Sequence, residues 1–168
     1  MSKPRMPSFG IMLRLATLDD ARRLFDWRND EITRQNSIQT KPVPWEDHVA
    51  WLERVVGGKS PGRTLYIAEV AGEAVGMARL DRDVDDAGKK HVEISYSVAP
   101  EARGKGYGKA IALECKNAYI ASDEEISATI KKGHEPSERI AQALGLHPVS
   151  EKASENPDDA RPVVEWRS

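Results

Sequence analysis

The stretch SVAPEARGKGYGKA, residues 97–110, follows a run that alternates like a strand, HVEISYSV (91–98), and leads into one that repeats like a helix. It carries glycines at 104, 106 and 108 and cations at Arg103, Lys105 and Lys109. A helix that begins directly after a strand offers unpaired backbone N–H groups and the positive end of its dipole to an anion. Glycines let that backbone approach phosphate oxygens with no β-carbon in the way. The stretch therefore reads as a pyrophosphate cradle. Two common phosphate loops are excluded by counting. G-x-x-x-x-G-K-[ST], ended at Gly108-Lys109, needs glycine where Arg103 stands and a hydroxyl where Ala110 stands. G-x-G-x-x-G needs its third glycine at Lys109 or at Ile111.

Upstream, FGIMLRLAT (9–17) reads as a first strand, and Thr17-x-x-Asp20 opens a helix carrying Leu18, Ala21, Leu24 and Phe25 to about Trp27 or Asn29. The polar segment NDEITRQNSIQTKPV (29–43) reads as an exposed loop or short irregular helix. In VPWEDHVAWLERVVGG (43–58), Pro44 suits a first turn, Trp45, Val49, Leu52 and Val56 share a face, and Gly57-Gly58 ends the helix. TLYIAEV (64–70) and AVGMARL (74–80) form a hairpin through Ala71-Gly72-Glu73. DRDVDDAGKK (81–90) is expected to be a charged loop. Beyond the cradle come a helix from about Lys105 to Ala118, a strand ISATI (126–130), a helix SERIAQALG (137–145) closed by Gly145, and a last strand PVVEWR (162–167), with room for one more.

The hairpin forbids an all-parallel sheet, and the crossover from 92 to 130 demands one parallel pair. The expected fold is thus mixed α/β (α+β): a mostly antiparallel sheet with a central parallel pair and about four helices. The 168 residues suit one domain, 9–168, behind a loose tail at 1–8.

Lys and Arg number 25 against 27 Asp and Glu, a net charge of -2, so no field over the whole surface favours nucleic acid or an anionic membrane. Any anion site must be local. Cys115 is the sole cysteine, which suits a reducing compartment, and a cytoplasmic setting is expected. No stretch reaches the roughly 18–20 apolar residues that cross a bilayer, and the opening ten residues lack the apolar core of a secretory signal. DRDVDDAG imitates a calcium loop, but Asp86 takes the glycine position and Val92 the twelfth; with His48, His91, His134 and His147 scattered, no metal is expected.

Read as R-x-x-G-x-G, Arg103, Gly106 and Gly108, preceded by Val98-Ala99-Pro100, resemble the acetyl-CoA loop of the GNAT superfamily of N-acetyltransferases. The resemblance spans nearly the whole chain, because the element order is also theirs, and SERIAQALGL is similar to their late helix. It implies acetyl-CoA as co-substrate, held by Arg103, Gly104, Lys105, Gly106, Tyr107, Gly108 and Lys109. It implies a pantetheine arm along Tyr96 and Val98, with His134 and Ser137 at the late helix, and a bulge near Ser95 or Tyr96 that splays the strands. The N–H of Val98 is then the implied oxyanion donor. Glu93, which alternation puts on one face with His91, Ser95 and Ser97, is the candidate base. Two positions depart from the pattern. Ala141 stands where many members carry the tyrosine that acts as general acid, and His134 where many carry an asparagine. The acid stays open among Tyr107, His134 and Ser137, and a thiolate leaving unprotonated is the other reading.

DWRNDEITRQNSIQTKPVPWEDHVAWLERV (26–55) is similar to a W-R-N, S, H-x-x-W pattern of bacterial transferases that acetylate the 4-amino group of UDP-linked amino sugars, as in pseudaminic acid synthesis. That resemblance implies substrate contacts from Trp27, Arg28, Asn29, Ser37, His48 and Trp51. The plain alternatives are core for Trp51, a helix-surface histidine for His48 and a helix C-cap for Asn29. Relatives acting on protein N-termini, ribosomal proteins or aminoglycosides share the scaffold, and a non-catalytic acyl-CoA sensor is the rival that Ala141 motivates. A homodimer is expected on base rates.

Overall fold

The computed structural model describes residues 10–168; the tail expected at 1–8 and Phe9 of the first strand lie outside the described residues. Seven strands, β1 (Ile11–Leu15), β2 (Arg63–Val70), β3 (Glu73–Val84), β4 (Lys90–Val98), β5 (Glu125–Lys131), β6 (His147–Lys152) and β7 (Val163–Arg167), form one sheet in the order β1-β2-β3-β4-β5-β7-β6. Every pairing is antiparallel except β4–β5. Five α-helices accompany the sheet: α1 (Ala21–Asn29), α2 (Glu31–Asn36), α3 (Trp45–Val56), α4 (Tyr107–Tyr119) and α5 (Glu135–Ala143).

Strand β2 is buried on both faces from Leu65 through Ala68, which marks the sheet as the middle of three layers. Tyr66 stacks on Tyr119 of α4, ring centroids 4.6 Å apart, so alternation turns Leu65 and Ile67 to the opposite side, where α3 packs. The β2–β3 connection is the two-residue turn Ala71-Gly72, both at positive φ (51° and 81°), as the twist of a tight hairpin requires.

Several expectations shift by a few residues for identifiable reasons. Strand β1 stops at Leu15 because Thr17 is spent as a cap: its side chain accepts from Asp19 N, and Asp20 reaches back to Thr17 N at 2.9 Å. The pair caps a 3-10 turn, Leu18–Asp20, that runs on into α1. The segment 81–84 belongs to β3 rather than to a loop. Its charges are met locally, Asp81 by Arg63 of the neighbouring strand (2.7 Å) and Arg79 of its own (3.0 Å), and Arg82 by Glu124 ahead of β5 (2.9 Å). The inward stripe of α3 is His48, Leu52 and Val55, while Trp45 and Val56 are exposed. Phe25 packs against both rings, 5.1 Å from Trp45 and 5.6 Å from His48, and the bond from His48 Nε2 to Ala21 O at 2.9 Å holds the imidazole inward. Helix α2 makes a fifth helix of the segment left open between loop and helix. Helix α4 begins at Tyr107, two residues late, because Gly104 and Gly106 are left-handed.

Gly76 sits where β3, β4 and α4 converge. A Cβ there would lie 2.4 Å from Ser97 O and 2.8 Å from Ile111 Cδ1. Gly76→Ala is therefore expected to cost about 1–3 kcal/mol, the usual cost of overpacking, and to lower the melting temperature by roughly 2–10 °C for a domain of this size. A differential-scanning measurement checks it.

Candidate active site

Strand β4 follows β3 without interruption, from Val84↔Lys90 to Gly76↔Val98. The bulge implied near Ser95 or Tyr96 is absent; register shifts occur instead at Ala68/Glu69 of β2 and Pro148/Ser150 of β6. The parallel pairing of β4 with β5 nevertheless ends at Glu93↔Ser127, so the strands part simply because pairing stops. Ala99 N donates to Val75 O at 2.8 Å, which fixes the parity of the ladder. The backbone groups of Ile94, Tyr96 and Val98 therefore turn away from β3, toward the gap. This is the orientation an oxyanion donor at Val98 N requires.

At the end of the gap the chain makes a short 3-10 turn, Pro100–Ala102, and enters the cradle. Arg103 N is engaged with Pro100 O at 3.5 Å, and the next amide to donate is Ala110 N, to Gly106 O at 3.3 Å. Among the described residues, none of the six amides from Gly104 to Lys109 donates to an acceptor within the protein. The run of unengaged amides is thus Gly104–Lys109, without Arg103. A Cβ built at Gly104 or Gly106 meets nothing within 4 Å, so neither glycine is packed against the rest of the protein. Both facts fit a diphosphate. The Arg103 side chain, in contrast, turns to α2, where it binds Asp30 and donates to Thr33 Oγ1 at 2.9 Å. Asp30 is itself the N-cap of α2, accepting from Thr33 N, and its carboxyl is held below the usual range first by Arg103. Arg103 thus fastens the cradle to α2 rather than presenting a free charge.

Two cavities meet at this place. One, of about 670 Å³, runs along the cradle and is lined by Tyr96, Val98, Arg103, Gly104, Gly106, Tyr107, Gly108, Lys109, His134 and Ser137. Of the residues expected to hold the cofactor, Lys105 lies outside this lining, on the exposed tip of the loop. The other cavity, of about 390 Å³, lies between the N-terminal helices and β3–β5, with Glu93, Met77, Arg79 and Ser95 on its floor. Thr33, Asn36, Ser37, Tyr96, Ser97, His134 and Ser137 line both, so α2, β4 and the start of α5 form the seam. Sequence reasoning missed α2's part in it, because a six-residue polar helix has no apolar period to reveal it.

Unbroken alternation keeps Glu93 on the face it was assigned, opposite Asp81. Its carboxyl is raised above the ordinary value, chiefly by burial and then by Asp81, while Arg79 and His91 oppose the shift. At the seam, burial lifts the Tyr96 phenol above the usual value, and neighbouring Ser137 opposes the shift. Ala141 is buried in the wall of the second cavity. The thiol of Cys115 is sealed in the core, and burial pushes it up to about 12, so it carries no acyl group.

The N-terminal pattern divides. Arg28, Ser37, His48 and Trp51 line the second cavity, with the Arg28 guanidinium 5.5 Å over the Trp51 ring. Trp27 does not reach it; the residue is 6% exposed and belongs to the core. Asn29 is occupied otherwise, since its amide donates to Val43 O (2.9 Å) and accepts from Val43 N (2.8 Å), pinning the chain ahead of α3 to the end of α1. His48 is no surface histidine but is 1% exposed, donating from Nε2 to Ala21 O at 2.9 Å, and burial holds it neutral.

Among the described residues no group of three or more His, Cys, Asp or Glu side chains could hold a metal ion, and no helix is long and apolar enough to cross a membrane. No curated protein matches the sequence. Solved structures share the fold. The spermidine N-acetyltransferase of Vibrio cholerae, in complex with CoA and spermine, has a TM-score of 0.79 at 15% identity, covering 96% of each chain. The ribosomal-protein-alanine N-acetyltransferase of Brucella melitensis has 0.74 at 22%, covering 94% of this chain and 98% of its own. A phosphinothricin acetyltransferase of Sinorhizobium meliloti, with acetyl-CoA, has 0.74 at 20%, covering 95% and 88%. Residues 11–147 match the model of the acetyltransferase (GNAT) domain, and the chain belongs to that family.

Proposed function

We propose that the protein transfers the acetyl group of acetyl-CoA directly to a primary amine of a small molecule, in a cytoplasmic setting. The observation that carries this reading is the run of six unengaged amides at Gly104–Lys109, opening beside the unpaired edge of β4. Acetyl-CoA supplies an acyl carbon activated as a thioester. Gly104–Lys109 would hold its diphosphate, and the backbone of Tyr96 and Val98 its amide-bearing arm. The N–H of Val98 donates to the oxygen on which charge develops. Glu93 withdraws the proton from the attacking amine, directly or through water, and its raised affinity for protons suits that task. The Tyr96 hydroxyl, whose proton burial makes harder to lose, would serve as hydrogen-bond donor to the departing thiolate in place of a side chain at Ala141.

The acceptor enters the 390 Å³ cavity. A nucleotide-linked amino sugar keeps Arg28 and Trp51 in its favour, as phosphate and stacking contacts, but Trp27 and Asn29 no longer contribute. The test is thiol release from acetyl-CoA with a panel of amines: UDP-4-amino sugars, amino acids, polyamines, an aminoglycoside and a peptide N-terminus. Release with a small amine is the expected result. Release with the peptide alone would move the assignment to a protein amine, and acetyl-CoA binding without release on any acceptor would favour a sensor.

A further inference from the structure

Four cations, Arg28, Lys41, Arg79 and Lys131, line the acceptor cavity against one carboxylate, Glu93. Two of the four have a carboxylate partner, in each case one shared with a further arginine, Arg63 at Asp81 and Arg161 at Asp159. Arg79 binds Asp81 at 3.0 Å, and the buried Lys131 binds Asp159 at 2.6 Å and Gln35 O at 2.9 Å. Among the described residues, neither Arg28 nor Lys41 has a carboxylate partner. Arg28 rests on the π-face of Trp51, which orients a guanidinium and leaves its N–H groups free to meet an anion. Although exposed at the cavity wall, Arg28 has its hold on its own proton lowered by partial loss of solvent first and then by the like charges of Arg79 and Arg63, which an incoming anion would offset. Glu93 lies on the sheet floor of the same cavity, and Arg28 comes from α1 in the wall above the sheet.

We propose that the acceptor is a zwitterionic amine, carrying a carboxylate or phosphoryl group that Arg28 and Lys41 seat while Glu93 faces its amino group. This rests on the reading of that cavity as the acceptor site. It turns the structure against polyamines, whose every substituent is cationic and would meet Arg28 and Lys41 as like charges. It unites two sources of the same chemistry: the carboxylate of an amino acid, and the phosphoryl groups of an aminophosphonate or sugar nucleotide.

The test compares kcat/KM for matched amines: an amino acid against its carboxamide, an aminoalkylphosphonate against its ester, a UDP-4-amino sugar against the free amino sugar, and spermidine. The anionic member is expected to lead by at least about tenfold, on the order of 1.4 kcal/mol. Arg28→Gln should collapse that preference through KM, and Arg28→Lys, which keeps the charge, should retain much of it. The arm that leads identifies the source of the anion. Carboxamide or spermidine turned over as well as the acid, or a preference surviving both Arg28→Gln and Lys41→Gln, would overturn the proposal and leave the transferase assignment standing. Should no amine release thiol, calorimetric titration of the same anionic amines into the CoA-bound protein decides the matter. Binding lost in Arg28→Gln would uphold the seat with the transferase reading gone, and no binding to the wild type would overturn the seat too. Melting curves of each variant establish that it is folded.

Discussion

Gly106→Val is expected to lower the affinity for acetyl-CoA by about 100-fold while leaving a folded protein. Gly106 is the N-cap of α4 at φ 78°, a conformation that β-branched residues occupy only under strain. A Cβ there meets no protein atom within 4 Å, so the fold tolerates the side chain, while its bulk beside the unengaged amides and the strain on the loop should hinder a phosphate. Losing one or two hydrogen bonds to a charged phosphate, each worth roughly 1.5–3 kcal/mol, accounts for the factor. A hundredfold loss removes about 2.7 kcal/mol of ligand stabilisation with ligand in excess, or roughly 5–10 °C of the acetyl-CoA-induced melting shift. Gly88→Val is the control. Gly88 has nearly the same backbone, φ 81° with no atom within 4 Å of a Cβ, but lies in the β3–β4 turn. It should pay the same strain and keep the full shift; an undiminished shift in Gly106→Val would remove the cradle from this loop.

Glu93→Gln should lower kcat/KM by about 10²–10⁴-fold at neutral pH, the usual range for loss of a general base, with partial recovery at high pH, where free amine is plentiful. The wild-type rate should rise with pH through the Glu93 titration, which burial and Asp81 displace upward from 4.5. Stability runs the other way. A carboxyl whose folded pKa is raised carries no penalty below its unfolded pKa, and the full penalty once pH exceeds the folded value. At neutral pH, then, Glu93→Gln should melt no lower than the wild type, and higher if the amide is accommodated. Lost turnover with retained or gained stability separates a catalytic carboxylate from a structural one. Wild-type turnover at neutral pH would clear Glu93.

What the sequence disclosed, and what it hid, follow from the range of the interactions. The glycine turn ahead of α4, the hairpin and the face of Glu93 are set by neighbours within a few residues, through glycine geometry and strand alternation, and all three were legible. The tie of Arg103 to Asp30 spans 73 positions, and nothing local distinguishes an arginine reserved for phosphate from one that fastens a helix. The same limit hid the end of β3, where the charges of Asp81 and Arg82 are met by residues of β2 and of the α4–β5 connection. On α3, His48 and Trp45 are both compatible with an inward face; the carbonyl of Ala21, on another helix, gives the His48 ring the partner that its burial requires. Arg79 could be placed on the face of Glu93 only once the β3–β4 register was known.

The most direct measurement is a crystal structure of the protein with coenzyme A. The expected result is diphosphate oxygens within about 2.7–3.2 Å of the amide nitrogens between Gly104 and Lys109, with the thiol end beside Val98 and Tyr96. A diphosphate bound elsewhere, with those amides turned to water or to the protein itself, would contradict the account.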